Sequence, residues 1–283
     1  MKFLRECEPA WCPGCGNFPI RNYLAEALEE LELDKENILM CTGIGQAAKM
    51  PHYLELNFFN GLHGRSLPVA FAAKAVNPDL TVIAESGDGD MYGEGGNHLF
   101  AGIRRNVDIT VLVHDNQIYG LTKGQGSPTT AQGQITTSQV WGVTNEPLNP
   151  LAFAISMDTS FVGRTWSGDK EHFKKVVKAA INHKGFSLVD IMHPCVSFNK
   201  VNNFSWYKSH LYDVNEKYPD YDPKNRVKAF EVAVDTEEKF PMGIIYINDK
   251  KTYHQMHPVL KDGRVIVENR IKVDVSDEFE KYK

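Results

Sequence analysis

Two groups of residues in this sequence have types and spacing suited to chemistry. The first is Gly87-Asp88-Gly89-Asp90, continuing through Met91 to Asn97. Small residues let a backbone approach a ligand closely, and the free N–H groups of a helix start attract phosphate. Asp88 repels phosphate, so its presence calls for a cation between the two. Mg²⁺ with a few oxygen ligands is the usual bridge. The expectation is a diphosphate–Mg²⁺ site, and the alternative is a glycine-rich surface turn with solvated acids. The second group is the knuckle Trp11-Cys12-Pro13-Gly14-Cys15-Gly16. Pro and Gly keep the backbone from crowding the two sulfurs, which can then face one metal or cluster. No strand precedes the knuckle, so a thioredoxin-type reading fits poorly.

The elements around these groups follow from periodicity. Leu80 to Ala84 is an apolar run that reads as a buried strand, and Leu99 to Arg105 reads as the rest of a helix. Residues 18–32 place Ile20, Leu24, Ala27, Leu28 and Leu31 on one helical face. Asn37 to Cys41 reads as a strand running into Thr42-Gly43-Ile44-Gly45-Gln46, and Leu67 to Ala75 as a short helix stopped by Asn77-Pro78. Val107 to Val113 is a second continuous strand, ending in His114-Asp115-Asn116. Leu151 to Met157, Ser160 to Thr165, the helical face of Phe173, Val176, Val177, Ala180 and Ile181, and the strand Phe186 to Met192 continue the alternation. Residues 126–148, rich in Thr, Gln and Gly, read as a long functional loop that orders against a partner. Strand–helix alternation with continuous apolar strands implies an α/β fold: a parallel sheet covered by helices on both faces. Its ligand sites belong at the C-terminal strand ends, where Gly43-Ile44-Gly45, Gly87-Asp88-Gly89 and Asp115-Asn116 all fall.

Three segments follow: a cysteine knuckle (1–17), the α/β domain (18–198), and an irregular, aromatic-rich C-terminal extension (199–283) that wraps its own domain or a partner subunit. A chain of 283 residues that is 42% hydrophobic and 24% charged suits one sizeable α/β domain plus additions. A net charge of −5 argues against nucleic-acid binding, which needs a basic face. Residues 1–20 lack the apolar core of a secretory leader, and no apolar run is long enough to span a membrane. A cytoplasmic protein is expected. Five cysteines in such a chain favour a metal or redox role over a disulfide framework.

Asp88 and Asn116, 28 residues apart, resemble the thiamine diphosphate motif, in which the acid, the Asn and a main-chain carbonyl, here that of Ile118, hold Mg²⁺. Further stretches narrow the match: Trp11 to Asn17, Gly43-Ile44-Gly45, Leu62-His63-Gly64-Arg65, Asn116 to Gln125, and Cys195 followed by Phe198-Asn199-Lys200. Together they resemble the β subunit of 2-oxoacid:ferredoxin oxidoreductases over roughly residues 8–210.

The resemblance implies a thiamine diphosphate-binding fold and a set of roles. Gly43, Ile44, Gly45, Gly87, Asp88, Gly89, Asp90, Asn116, Ile118, Tyr119, Gly120, Leu121 and Thr122 would surround the diphosphate half of the cofactor. His63 would lie near its phosphates, and Lys123 at the mouth of the site, meeting substrate carboxylate. For each there is a plainer reading: a histidine bonding a loop carbonyl, a solvated loop lysine. A partner α subunit would complete the site for a 2-oxoacid (pyruvate or 2-oxoglutarate) and coenzyme A, with electrons leaving through a 4Fe–4S cluster to ferredoxin. Cys12, Cys15 and Cys195 match three of the family's cluster ligands, but Gln46 stands where the fourth cysteine is expected. Cys7, Cys41 or a non-thiolate group could take its place. A non-redox thiamine-dependent decarboxylase subunit leaves these three cysteines unused, and a non-enzymatic iron–sulfur or zinc module leaves Asp88 and Asn116 unexplained.

Overall fold

The computed structural model describes residues 2–236, 239–258, 260, 261, 276, 280 and 281. The strands are β1 (Ile38–Thr42), β2 (Asn57–Asn60), β3 (Thr81–Gly87), β4 (Ile109–Asp115), β5 (Phe161–Trp166), β6 (Phe186–Met192), β7 (Leu211–Asp213) and β8 (Phe240–Ile247). They form a sheet in the order β2-β1-β3-β4-β6-β5-β8-β7. Strands β1 to β6 are mutually parallel; β8 runs antiparallel to β5 and parallel to β7.

The continuous apolar character of the central strands has a direct cause. Successive side chains point to opposite faces, and here both faces are covered. Val82, Ala84, Val111, Val113, Val162 and Leu188 pack in one core with Leu67, Leu99, Ile103, Leu151 and Val232. Ile83, Leu112, Phe161, Val189 and Ile191 pack in the other, with Ile20, Leu24, Leu28, Phe173, Val176 and Val177. The first core is closed by α2 (Ser66–Val76), α3 (Gly96–Arg105), α4 (Pro150–Ser156) and, further along the chain, α8 (Arg226–Val234). The second is closed by α1 (Asn17–Glu30) and α5 (Lys170–Asn182). Asn149 and Asp169 cap α4 and α5 by accepting from Ala152 and His172 N–H groups.

The region after residue 199 differs from the irregular extension expected. It carries α6 (Phe204–His210), β7, α7 (Val214–Lys217), α8, β8 and α9 (Tyr253–Met256). Asn203, Asp213, Asn225 and Thr252 cap its helices. Its apolar residues bury within this chain: Val232 and Ala233 join the first core, and Tyr207, Leu211 and Met242 form a small cluster of their own. Most of the expected extension beyond residue 261 lies outside the described residues. Among the described residues, no helix is long and apolar enough to cross a membrane.

Candidate active site

The C-terminal ends of β1, β3, β4 and β6 lie side by side, and the candidate residues sit in the turns that follow them. After β3, residues Gly89–Glu94 form a single π-helical turn before α3, a device that recurs at functional sites. It buries Asp88 and Asp90.

Asp90 organises two neighbouring turns. Its Oδ1 accepts the N–H of Ile44 (2.9 Å) and of Gly64 (2.8 Å), and its Oδ2 accepts the Ser86 hydroxyl (2.8 Å). A Cβ on Gly43 would lie 2.1 Å from Asp90 Oδ2, so only glycine fits there. Gly64, at φ +66, is confined by the Glu94 carbonyl. His63 Nδ1 lies 3.1 Å from Glu94 Oε2 and 3.5 Å from Asp90 Oδ1. Expected as a cofactor contact, Asp90 spends both oxygens on the protein: it positions Ile44 and the His63-Gly64 turn.

Asp88 Oδ2 accepts hydroxyls from Ser127 (2.5 Å) and Thr129 (2.7 Å). The Thr129 hydroxyl also lies 2.8 Å from Asp115 Oδ1. Residues 126–148 were expected to order against a partner, yet 127–130 are seated inside this chain, with Thr130 donating to the Gln117 carbonyl at 2.7 Å. Burial pushes the Asp88 carboxyl up to about 6, and Asp115 well above the ordinary range, with the neighbouring acids adding to it. Asp190, also buried, pairs with Arg164 at 2.7 Å and accepts from Tyr92 OH at 2.8 Å. Arg164 pairs directly with Asp190 alone and is felt more weakly at Asp115.

Following β4, Asn116 Oδ1 accepts the Ile118 N–H (3.1 Å), and Asn199 Nδ2 donates to the Asn116 carbonyl (3.1 Å). Gln117 between them holds a positive φ of 59°, a conformation rare outside glycine and Asn/Asp. Tyr119 lies over Gly89, where a Cβ would come within 2.2 Å of its ring, and its hydroxyl donates to the Gly89 carbonyl or to Glu94.

These turns border an open cleft. Ile44, Gly45, His63, Gly87, Asp88, Gly89, Asp90, Asn116, Ile118, Tyr119, Gly120, Leu121 and Thr122 line it, joined by Gln46 and Ala47. Of the expected residues, Gly43 and Lys123 do not line it. Gly43 backs onto Asp90, and Lys123 is exposed at the tip of the 119–125 turn with φ 77°. Ser127, Thr129, Asp190 and Arg164 escaped the sequence reading, which placed Asp115 at a strand end without giving it a role. The serine and threonines were visible only as loop composition, and the Asp190–Arg164 pair lies within strands that read simply as apolar.

A second cleft adjoins the first. Cys12, Cys15 and Cys195 line it with Trp11, Asn17, Gln46, Asn116, Gly120, Val196, Ser197 and Phe198. A backbone bond from Cys15 N–H to the Cys12 carbonyl (3.0 Å) closes the knuckle on itself, and one from Gly16 N–H to the Pro194 carbonyl (3.4 Å) joins it to the loop after β6. Burial first, then the nearby Cys195 and Cys12 sulfurs, push the Cys15 thiol up to about 11. Neither Cys7 nor Cys41 lines this cleft. Cys7 is exposed with its sulfur 3.9 Å from the His52 carbonyl; Cys41 is fully buried in the sheet core, its thiol pushed up to about 12.

Comparison with known proteins places this geometry. Residues 41–191 match the family described as thiamine pyrophosphate enzyme, C-terminal TPP binding domain. Residues 195–262 match the family for the C-terminal part of the pyruvate ferredoxin oxidoreductase beta chain. The chain is 40% identical, over 84% of its length and 82% of the relative's, to the 2-oxoacid:ferredoxin oxidoreductase subunit beta of a Sulfolobus species. The chain belongs to the 2-oxoacid:ferredoxin oxidoreductase β-subunit family. Enzymes of this family are oxidoreductases. A member from Mycobacterium tuberculosis, the 2-oxoglutarate oxidoreductase subunit KorB, is 42% identical over 70% of this chain and 53% of that one. The solved 2-oxoglutarate:ferredoxin oxidoreductase of Magnetococcus marinus, determined with 2-oxoglutarate, coenzyme A and succinyl-CoA bound, superposes with a TM-score of 0.90. It is 31% identical, covering 99% of this chain and 94% of that one.

The residues present fit the cofactors of such a β subunit. A divalent cation at Asp88 would offset the surplus charge of three buried acids beside one arginine. Gly45 and Gly87 leave open space where a side chain would crowd a diphosphate. Three thiols and Gln46 line the adjoining cleft, and Gln46 Oε1 is buried without a hydrogen-bond partner; among the described residues no three His, Cys, Asp or Glu side chains come together as a single-metal site.

Proposed function

We propose that this chain is the diphosphate-binding β subunit of a coenzyme A-dependent 2-oxoacid:ferredoxin oxidoreductase. It works in the cytoplasm with a partner α subunit and passes electrons to ferredoxin. The reaction is oxidative decarboxylation of a 2-oxoacid, pyruvate or 2-oxoglutarate, to acyl-CoA and CO₂. The names of the M. tuberculosis and M. marinus relatives support 2-oxoglutarate.

Thiamine diphosphate, when bound, supplies the carbanion chemistry that releases CO₂, and a 4Fe–4S cluster takes up the electrons singly. The chain's own residues prepare for both. Asp88, Asn116 and the Ile118 carbonyl would hold Mg²⁺, and Ser127 and Thr129 fix the Asp88 carboxylate by donating to its Oδ2. Asp90 keeps the Ile44 backbone in place for close approach, so the turn costs no reorganisation when the diphosphate arrives. His63, held beside Glu94 and Asp90, lines the cleft in which the diphosphate would lie. Lys123, at the rim, meets the substrate's carboxylate. Cys12, Cys15 and Cys195 hold the cluster as thiolates once iron replaces their protons.

The observation that carries this reading is the shared wall. Gln46, Asn116 and Gly120 line both clefts, so electrons leaving the first need cross only one layer of residues. The test is activity of the complex, reconstituted with its partner, against a panel of 2-oxoacids, with coenzyme A and ferredoxin or a viologen as acceptor. Reduction dependent on both a 2-oxoacid and coenzyme A is expected. Decarboxylation without acceptor reduction would move the chain to a non-redox thiamine enzyme.

A further inference from the structure

The position that departs from the family pattern is also where the structure leaves a polar atom without a partner. Gln46 follows the Gly43-Ile44-Gly45 turn and opens the 3-10 segment Ala47–Tyr53. Its backbone is pinned: the carbonyl accepts the Trp11 indole N–H (2.8 Å), tying it to the cysteine knuckle. Trp11 is itself locked edge-on against Phe18 and Tyr53. Gln46 lines the thiol cleft with Cys12, Cys15 and Cys195 as well as the wall of the first cleft, and its Oε1 is buried without a hydrogen bond. A buried amide oxygen left unpaired is costly, so its position calls for a group not yet named. The two remaining thiols are not candidates for the vacant corner. Cys41 is enclosed in the sheet core, and Cys7 faces the His52 carbonyl.

We infer that Gln46 supplies the fourth ligand of the thiol cleft, so that an iron–sulfur cluster held there has three thiolate-bound irons and one bound by the carboxamide oxygen Oε1. The inference rests on the cluster assignment above and deepens it. Thiolate is the ligand type that iron–sulfur clusters select, so the iron at Gln46 is the most weakly held. On mild oxidation it leaves as Fe(II), while the cluster gives one electron to the oxidant and the three-iron core keeps its sulfides and its three thiolates.

The experiment uses the full chain, purified without oxygen, treated with ferricyanide as one-electron oxidant and followed by EPR and iron analysis. Wild type is expected to lose one iron in four and to develop the signal of a three-iron cluster. Gln46→Cys is expected to retain all its iron under the same treatment, because a fourth thiolate then closes the site. Cys7→Ala and Cys41→Ala are expected to behave as wild type. Either of these two arriving with a three-iron cluster already formed would overturn the role of Gln46, whether or not Gln46→Cys folds. So would a wild type that keeps its fourth iron and is indistinguishable from Gln46→Cys. Colourless, iron-free protein throughout would overturn the cluster assignment itself and this inference with it.

Discussion

The two clefts share a wall but are built in opposite ways. The diphosphate cleft is furnished by turns that each follow a strand of a parallel sheet. Its key acid, Asp90, binds three groups from the protein and leaves the ligand to backbone and to Asp88. The thiol cleft draws on three distant segments, around Cys12, Gln46 and Cys195, and is joined by a few backbone bonds and the Trp11 indole. One is organised before its ligand arrives. The other brings three thiols and Gln46 together with Gln46 Oε1 still without a hydrogen bond. The difference predicts that damage to the first cleft is felt in stability as well as binding, and damage to the second mainly in the group it holds.

The largest effect is expected from Asp88→Ala. Removing a direct cation ligand should weaken Mg²⁺-dependent thiamine diphosphate binding by more than the roughly 10–100-fold seen for an outer partner; calorimetric titration measures it. Asp90→Ala should lower stability by roughly 2 kcal/mol or more, since it strands the buried Gly64 N–H and Ser86 hydroxyl as well as the half-buried Ile44 N–H. Denaturant unfolding checks this, and Cys12→Ala serves as the contrast, with little loss before metal is added. The next effect is on pH. Burial raises Asp88 from 3.8 to about 6, so the metal-free folded protein binds this proton more tightly than the unfolded chain. Its stability should therefore fall as pH rises from about 4 to about 6. The proton also competes with Mg²⁺, whose affinity should drop about tenfold per pH unit below that value. Thr129→Val removes a hydroxyl that favours the charged carboxylate and should move both midpoints upward, read from Mg²⁺ titrations at several pH values. The smallest effect belongs to Lys123→Ala. It should leave cofactor binding unchanged and raise KM for the 2-oxoacid, as steady-state kinetics will show.

The diphosphate cleft was legible because its residues are contiguous in sequence: a strand running into Gly43-Ile44-Gly45, another into Gly87-Asp88-Gly89-Asp90, and a third into Asp115-Asn116. What sequence could not show was the division of labour between Asp88 and Asp90, which depends on which way each carboxylate turns out of the π-helical turn. Nor could it show that Ser127 and Thr129 return to Asp88, since a polar loop carries no periodicity. The region after residue 199 was legible in principle. Asn203, Asp213, Asn225 and Thr252 are helix-cap residues, and Met242 to Ile247 is an apolar run of strand length. The surrounding aromatic and charged residues masked both signals. The thiol cleft was legible only through resemblance, because nothing local links Cys12 to Cys195.

The central claim is that the two clefts work as donor and acceptor across one wall. The direct measurement is the visible spectrum of the anaerobic complex before and after addition of 2-oxoacid and coenzyme A. A broad iron–sulfur band that bleaches only when both are present is predicted. A protein that binds thiamine diphosphate tightly yet shows no such band, or a band that substrate and coenzyme A leave unchanged, would contradict it.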